Sequence, residues 1–262
     1  NISDTLCDPE RPEALPPLSV DEPTVSMTFQ VNDSPMAGLD GKYVTSSNIR
    51  ARLAKDLLTN VALRVQEEEG SDRFRVSGRG ELHLSILIEN MRREGYELGV
   101  SRAEVIVKEV DGVRMEPYEQ LTMDIEEQHQ GTVMEKLGQR GGELVDMVPD
   151  GEGRVRLDYM IPSRGLIGFR TEILGATHGT GLMHHVFHHY GRVRVGDIGK
   201  RSTGVMVSNC RGTAVGYALW NLQERGRMFV GHGDDVYEGM IVGSHCRSSD
   251  LVVNPRKGKQ LT

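Results

Sequence analysis

The densest set of metal-ligating side chains in the chain is His184-His185-Val186-Phe187-His188-His189, with His178 just upstream. On a helix or on a regular strand, a step of four brings His184 and His188 to one side. Either element would then present two imidazoles to Zn²⁺ or Ni²⁺. No cysteine or carboxylate stands nearby in sequence to complete the set, so a polar strand end is the simpler reading and His184 and His188 are weak metal candidates. Phosphate-loop chemistry has no foothold, because no G-x-x-x-x-G-K-[ST] run exists and Gly196 to Lys200 lacks its glycine spacing. There is also no G-x-S-x-G elbow and no H-E-x-x-H pair. The chain therefore reads as a binding module and not as an independent enzyme.

Composition narrows the partner. The 262 residues carry a net charge of −7, which excludes a uniformly basic nucleic-acid binder. The charge is uneven: residues 193–262 hold ten Lys/Arg against six Asp/Glu, a basic end on an acidic body. That asymmetry points to an anionic partner at the C-terminal side. Cys7, Cys210 and Cys246 are odd in number and widely spaced, so they form neither a disulfide framework nor a CxxC pair, which fits a reducing cytoplasm. No apolar run approaches the ~18 residues of a membrane span. The chain opens on Asn1 with no initiator Met and no signal peptide, and it is expected to be a piece of a longer protein.

The elements repeat. Residues 1–20 carry Pro9, Pro12, Pro16 and Pro17 and predict an extended linker. Val25, Met27, Phe29 and Val31 alternate as a strand. Thr45-Ser46-Ser47 supplies caps for a helix bearing Ile49, Leu53 and Leu57. Val61 to Val65 and Phe74 to Val76 form a hairpin, a second helix starts at Gly80-Glu81 and ends at Gly95, and Tyr96 to Val107 returns as a strand. After the Asp111-Gly112 turn the same order recurs. A strand spans Met115 to Ile125 and a helix Gly131 to Gln139. Leu144 to Val148 and Val155 to Ile161 make a hairpin, followed by a helix from Gly165 to Leu174 and a strand from Gly181 to His188. Both repeats place an Arg-Gly pair at the start of their second helix, Arg79-Gly80 and Arg164-Gly165, where glycine would admit another backbone and free amides favour anions.

The fold class is thus α+β: two tandem ferredoxin-like β-α-β-β-α-β domains at 21–110 and 111–192, then a mixed, strand-rich domain at 193–262. In that last domain Gly204 to Val207, Met228 to Val230 and Met240 to Val242 read as strands and Ala214 to Arg225 as a helix. The basic segment 254–260 is unpatterned.

Ser77-Gly78-Arg79-Gly80-Glu81-Leu82-His83-Leu84 and its continuation to Tyr96 resemble the third domain of the BipA/TypA family of translational GTPases. Val31 to Pro35, Gly41 to Ser46 and Asn60 to Val65 agree. Pro162-Ser163-Arg164-Gly165-Leu166-Ile167-Gly168-Phe169-Arg170 resembles the domain that family shares with elongation factor G. Asn221 to Gly226 and Val236 to Gly243 resemble its own C-terminal domain. The resemblance implies a ribosome-associated factor acting in stress adaptation and large-subunit assembly, whose GTPase domain, with its GTP and Mg²⁺, precedes this part. No cofactor is then expected here. The implied partners are the ribosome, ribosomal RNA and A-site tRNA, met by a cytoplasmic, monomeric region with no membrane contact. Two positions depart from the family pattern: His178 stands where Arg is expected and His184 where Asn is expected.

On this reading the RNA-contact candidates are Arg164 and Arg170 in the second repeat, with Lys200, Arg201, Arg211, Arg256, Lys257 and Lys259 at the basic end. Two other functions fit the composition: a metal- or metabolite-sensing tandem module, and a self-association scaffold.

Overall fold

Alternation in Val25–Gln30 (β1) turns Val25 and Phe29 inward to 3% and 0% exposure, and the first domain builds on that strand. The computed structural model describes residues 4–16, 20, 22–68, 70–196, 198–199 and 203–258. Its contacts group into a first unit, Asn1–Gly199, and a second, Lys200–Thr262. Residues 4–16 contain no helix or strand.

After β1 come α1 (Ser46–Leu57), β2 (Arg64–Glu67), β3 (Arg73–Gly78), α2 (Glu81–Arg93), β4 (Gly99–Val100) and β5 (Glu104–Val105). The sheet order is β2-β3-β1-β4, all antiparallel, with β5 also on β1. Thr45 caps α1 by accepting the Asn48 amide at 3.3 Å. Ile49 and Leu53 of α1 and Leu84, Leu87 and Met91 of α2 cover Phe29, Phe74 and Val76. Each such side chain contributes roughly 1.5–3 kcal/mol by leaving water. The expected strand at 61–65 starts late: a turn closed by Leu63 N donating to Asn60 O at 3.2 Å precedes it, and pairing begins at Arg64. The expected strand at 96–107 is interrupted. Ser101 Oγ accepts the Thr28 amide at 2.8 Å in place of a ladder carbonyl.

The loop between β1 and α1 is pinned by one carboxylate. Glu97 accepts from Asn32 Nδ2, Gly38 N, Asp40 N and Gly41 N. These bonds, the Gly38 amide foremost, hold it below the usual carboxylate range. A Cβ at Gly41 would collide with Glu97 Cβ, so this close approach requires glycine.

The second domain repeats the plan with β6 (Lys108–Val110), β7 (Val113–Glu126), a 3₁₀ turn at Glu127–His129, α3 (Gln130–Gln139), β8 (Glu143–Pro149), β9 (Arg154–Pro162), α4 (Ser163–Leu166), α5 (Phe169–Ala176) and β10 (Leu182–Arg192). The order β10-β7-β9-β8 reproduces that of the first sheet, and β6 joins β7 through Asp111 and Gly112, both at positive φ. Leu121, Met123, Ile125, Leu157 and Phe169 are fully buried in its core.

The single helix expected across 165–174 is instead two. Gly168, at φ +69, breaks the run, and the carbonyls freed at Gly165 and Ile167 accept from Arg140 Nη1 at 2.8 and 3.0 Å. The segment after β10 stays with this domain. Val193 N donates to Arg114 O, and Arg194 Nη1 donates to Gly141 O and Glu143 Oε1. The division after Gly199 thus falls later in the chain than the expected start of the last domain at 193.

The second unit holds β11 (Val205–Ser208), β12 (Gly212–Thr213), α6 (Gly216–Gln223), β13 (Gly226–Met228), β14 (Asp235–Val236), β15 (Ile241–His245) and β16 (Leu251–Val253). Its sheet runs β13-β15-β11-β16, with β11 and β16 parallel, beside a β12–β14 pair. Met206, Ala214 and Val242 lie fully inside.

The glycine pairs differ. A Cβ at Gly165 would sit 2.5 Å from Arg140 O, a true backbone approach, whereas one at Gly80 meets nothing within 4 Å. Gly165→Ala is therefore expected to cost about 1–3 kcal/mol in urea unfolding, the usual cost of overpacking. Gly175→Ala in α5, with open space around it, should not destabilise.

Candidate nucleic-acid interface

A cation can meet RNA only if the fold leaves it unpaired, so each candidate is placed first by its partners. Arg164 is in α4, directly after β9 ends at Pro162. There it meets Glu116 of β7, which is 1% exposed. Arg164 Nε donates to Glu116 Oε2 at 2.7 Å and Nη2 to Oε1 at 3.2 Å, a two-pronged pair. Its remaining donors go to Gly196 O at 3.1 Å and to Arg194 O. Arg164 is thus drawn inward and structural, which corrects the expectation that it faces RNA. Arg170, in the first turn of α5, is exposed and pairs with no described carboxylate.

Of the other 21 described cations of the first unit, eleven are likewise paired with carboxylates and ten, Arg170 among them, are exposed without a described one. Arg140 and Lys136 hold Glu172, Arg52 joins Asp56 and Glu94, and Arg92 and Arg93 share Glu89. The second unit differs. Arg211, Arg225, Arg227, Arg247, Arg256 and Lys257 are all exposed, and none forms an ion pair with a described carboxylate. Lys200, Arg201 and Lys259 lie outside the described residues.

Arg256 is exposed but partly tethered. Its Nη1 donates to Arg211 O at 2.7 Å, and its Nε lies where a Cβ at Gly212 would come within 2.5 Å. Arg225, Arg227 and Arg247 are not among the cations expected from sequence. They become neighbours only through the β13–β15 ladder, where Arg227 faces Ser244 and Cys246 N donates to Arg225 O. Arg247 stands 20 residues from Arg227 in sequence, and only that register brings the strand before it beside them. Near them the sole tryptophan, Trp220, is 72% exposed on α6, with Tyr217 one turn away and Phe229 60% exposed just past β13.

The histidines lie on β10. A bulge between Phe187 and His189 leaves His188 without a partner in the register, so the even-step alignment of His184 with His188 on a regular strand does not apply. His188 Nδ1 contacts His189 Nδ1 at 2.8 Å, and His189 stacks on Tyr118 at 5.3 Å. No group of three or more His, Cys, Asp or Glu suited to a metal occurs among the described residues.

Comparison with known proteins matches both modules. The family described as elongation factor G C-terminus covers residues 113–198, the second sheet together with the segment that Arg194 fastens. The TypA/BipA C-terminal domain family covers 203–262. Relatives named large ribosomal subunit assembly factor BipA align over the whole chain. The Salmonella typhimurium protein is 63% identical over 262 residues, the Haemophilus influenzae protein 62%, and the Buchnera aphidicola protein 56% over 261 residues. The chain belongs to the BipA family.

This BipA-family chain spans 42–43% of the length of those relatives. Its matched modules are C-terminal ones, and it contains no GTPase domain. No helix among its described residues is long and apolar enough to cross a membrane.

The tether of Arg256 yields a direct check. Gly212, at φ +140, cannot take a Cβ without strain or without displacing the guanidinium. Gly212→Ala is expected to lose about 1–3 kcal/mol in thermal unfolding. Arg256→Ala, which leaves that backbone intact, should lose clearly less.

Proposed function

We propose that this chain is the RNA-docking region of a BipA-type assembly factor, holding the factor on the large ribosomal subunit while GTP hydrolysis takes place in another part of the whole protein. The observation that carries this reading is the partition of charge. The first unit pairs twelve of its 22 described cations with carboxylates, whereas none of the six exposed, described cations of the second unit meets a described carboxylate. Unpaired cations beside exposed aromatics are what a folded RNA surface selects. Phosphates are neutralised with release of counterions, unstacked bases find π faces such as Trp220, and a fixed RNA shape removes the need for base reading.

Within this reading Arg211, Arg256 and Lys257 of the second unit approach A-site tRNA, and Arg170 contributes from the first unit near the factor site. The region itself needs no cofactor and acts as a monomer in the cytoplasm, where the factor serves ribosome assembly under stress.

The test is co-sedimentation of the chain with purified large ribosomal subunits across a salt series. Binding should weaken steeply with salt. In the Arg211→Ala/Lys257→Ala variant the log–log slope should flatten by about 0.7–0.9 for each phosphate left without its cation. Trp220 fluorescence should change on binding. An unchanged slope in that variant would remove the second unit from the interface. Sedimentation of the chain alone as an oligomer would favour the scaffold reading.

A further inference from the structure

Within the first unit, the two ferredoxin-like domains enclose a half-open cleft of about 450 Å³. Its floor joins the start of α2 in one domain to α4, α5 and β10 of the other, and the Gly168 amide donates across to Glu81 Oε2 at 3.0 Å.

Three features of the cleft bear on a ligand. The first is charge. Arg79 and Arg170 both line the cleft, both are exposed, and neither pairs with a described carboxylate. The three carboxylates in the wall already have partners: Glu22 holds Lys108, Glu81 holds the Gly168 amide, and Glu119 meets His185 Nδ1 at 2.5 Å. None of the three pairs with Arg79 or Arg170, so both guanidiniums keep their donors for an incoming group.

The second feature is the helix start. α2 is 13 residues long, and no side chain caps it at Gly80, in contrast to Thr45 on α1. Its first-turn amides open on the cleft with the positive end of the helix dipole behind them. The third is Ser163, also in the wall. It is 2% exposed, and its hydroxyl has no hydrogen-bond partner among the described residues, an unmet donor that a bound group could satisfy.

The remaining wall is apolar, with Leu82, Ile167, Met183 and Phe187 among its members. A bare inorganic ion would leave that surface uncovered, and a volume of this size suits a small organic ligand. We propose that this cleft binds a phosphorylated ligand with an apolar or aromatic body, of nucleoside-monophosphate size. Its phosphate sits at the α2 amides between Arg79 and Arg170, and its body lies along the apolar wall. His83, which lines the same corner, is held below its usual range, first by burial and then by Arg79, and its two ring nitrogens are engaged by Asn60 Nδ2 and the Arg79 amide. The site lies wholly within the first unit, and the inference does not depend on the docking role proposed for the second.

The same chemistry reaches the cleft either as a free nucleotide or as one nucleotide of an RNA strand, and the test separates them. Amide NMR spectra of the chain are recorded with AMP, adenosine, inorganic phosphate, and a short oligoadenylate without terminal phosphate, each to millimolar concentration. AMP is expected to shift the amides of Gly80 to His83 and of 166–170, binding at least tenfold more tightly than adenosine or phosphate. Equal shifts with the oligoadenylate assign the site to RNA, and shifts with AMP alone assign it to a free nucleotide.

Gly80→Asp supplies the missing cap and a negative charge at a position with open space and an extended backbone, so the variant should remain folded while losing the AMP shifts. Three results would overturn the proposal: no shift at these amides with AMP, full shifts retained in Gly80→Asp, or adenosine or phosphate binding as tightly as AMP.

Discussion

A carboxylate buried to 1% exposure must be matched by donors, and at Glu116 that requirement organises the second domain. Arg164 answers it with a two-pronged contact and the Arg194 amide adds a third donor at 2.7 Å. Arg164 thereby fixes α4 at the end of β9, and α5 begins after the break at Gly168. The same guanidinium donates to the carbonyls of Arg194 and Gly196, fastening residues 193–196 to the sheet. One buried charge thus anchors α4 and ties the segment after β10 to the first unit.

The charge asymmetry of the sequence thereby gains a physical meaning. The acidic first unit is laced with ion pairs, many on its surface, where each contributes no more than about 1 kcal/mol. Their consequence for function is to remove cations from circulation. The second unit has a small core of short strands and leaves its cations outward. An RNA partner would then meet a second unit in which all six described cations are free of described carboxylates, against ten of the 22 described cations on the first unit. Such a distribution orients docking more strongly than a uniform positive charge would.

The ferredoxin-like order was legible because alternation in 25–31 and 115–125 and helical spacing at Ile49/Leu53 and Leu84/Leu87/Met91 each had one solution, and both sheets adopt it. What escaped the sequence was local and chemical. The break at Gly168 depends on Arg140, distant in sequence, whose guanidinium donates to the loose carbonyls. The bulge at His188 shifts a register that periodicity assumes to be regular. β12, β14 and β16 have two or three residues each, too few for any period to show. Among the site candidates, Arg170, Arg211 and Lys257 are exposed as expected, while Arg164 was misread because its partner, Glu116, lies 48 residues away. Arg225, Arg227 and Arg247 were missed because only strand pairing assembles them.

The most direct measurement of this account is a double-mutant cycle on Glu116→Gln and Arg164→Gln, read by urea unfolding of the chain. The account predicts that each single variant is destabilised and that the pair is coupled by about 1–3 kcal/mol, as for side chains sharing one network. Destabilisations that add within about 0.5 kcal/mol would contradict it, for Arg164 would then be a surface cation free to meet RNA after all.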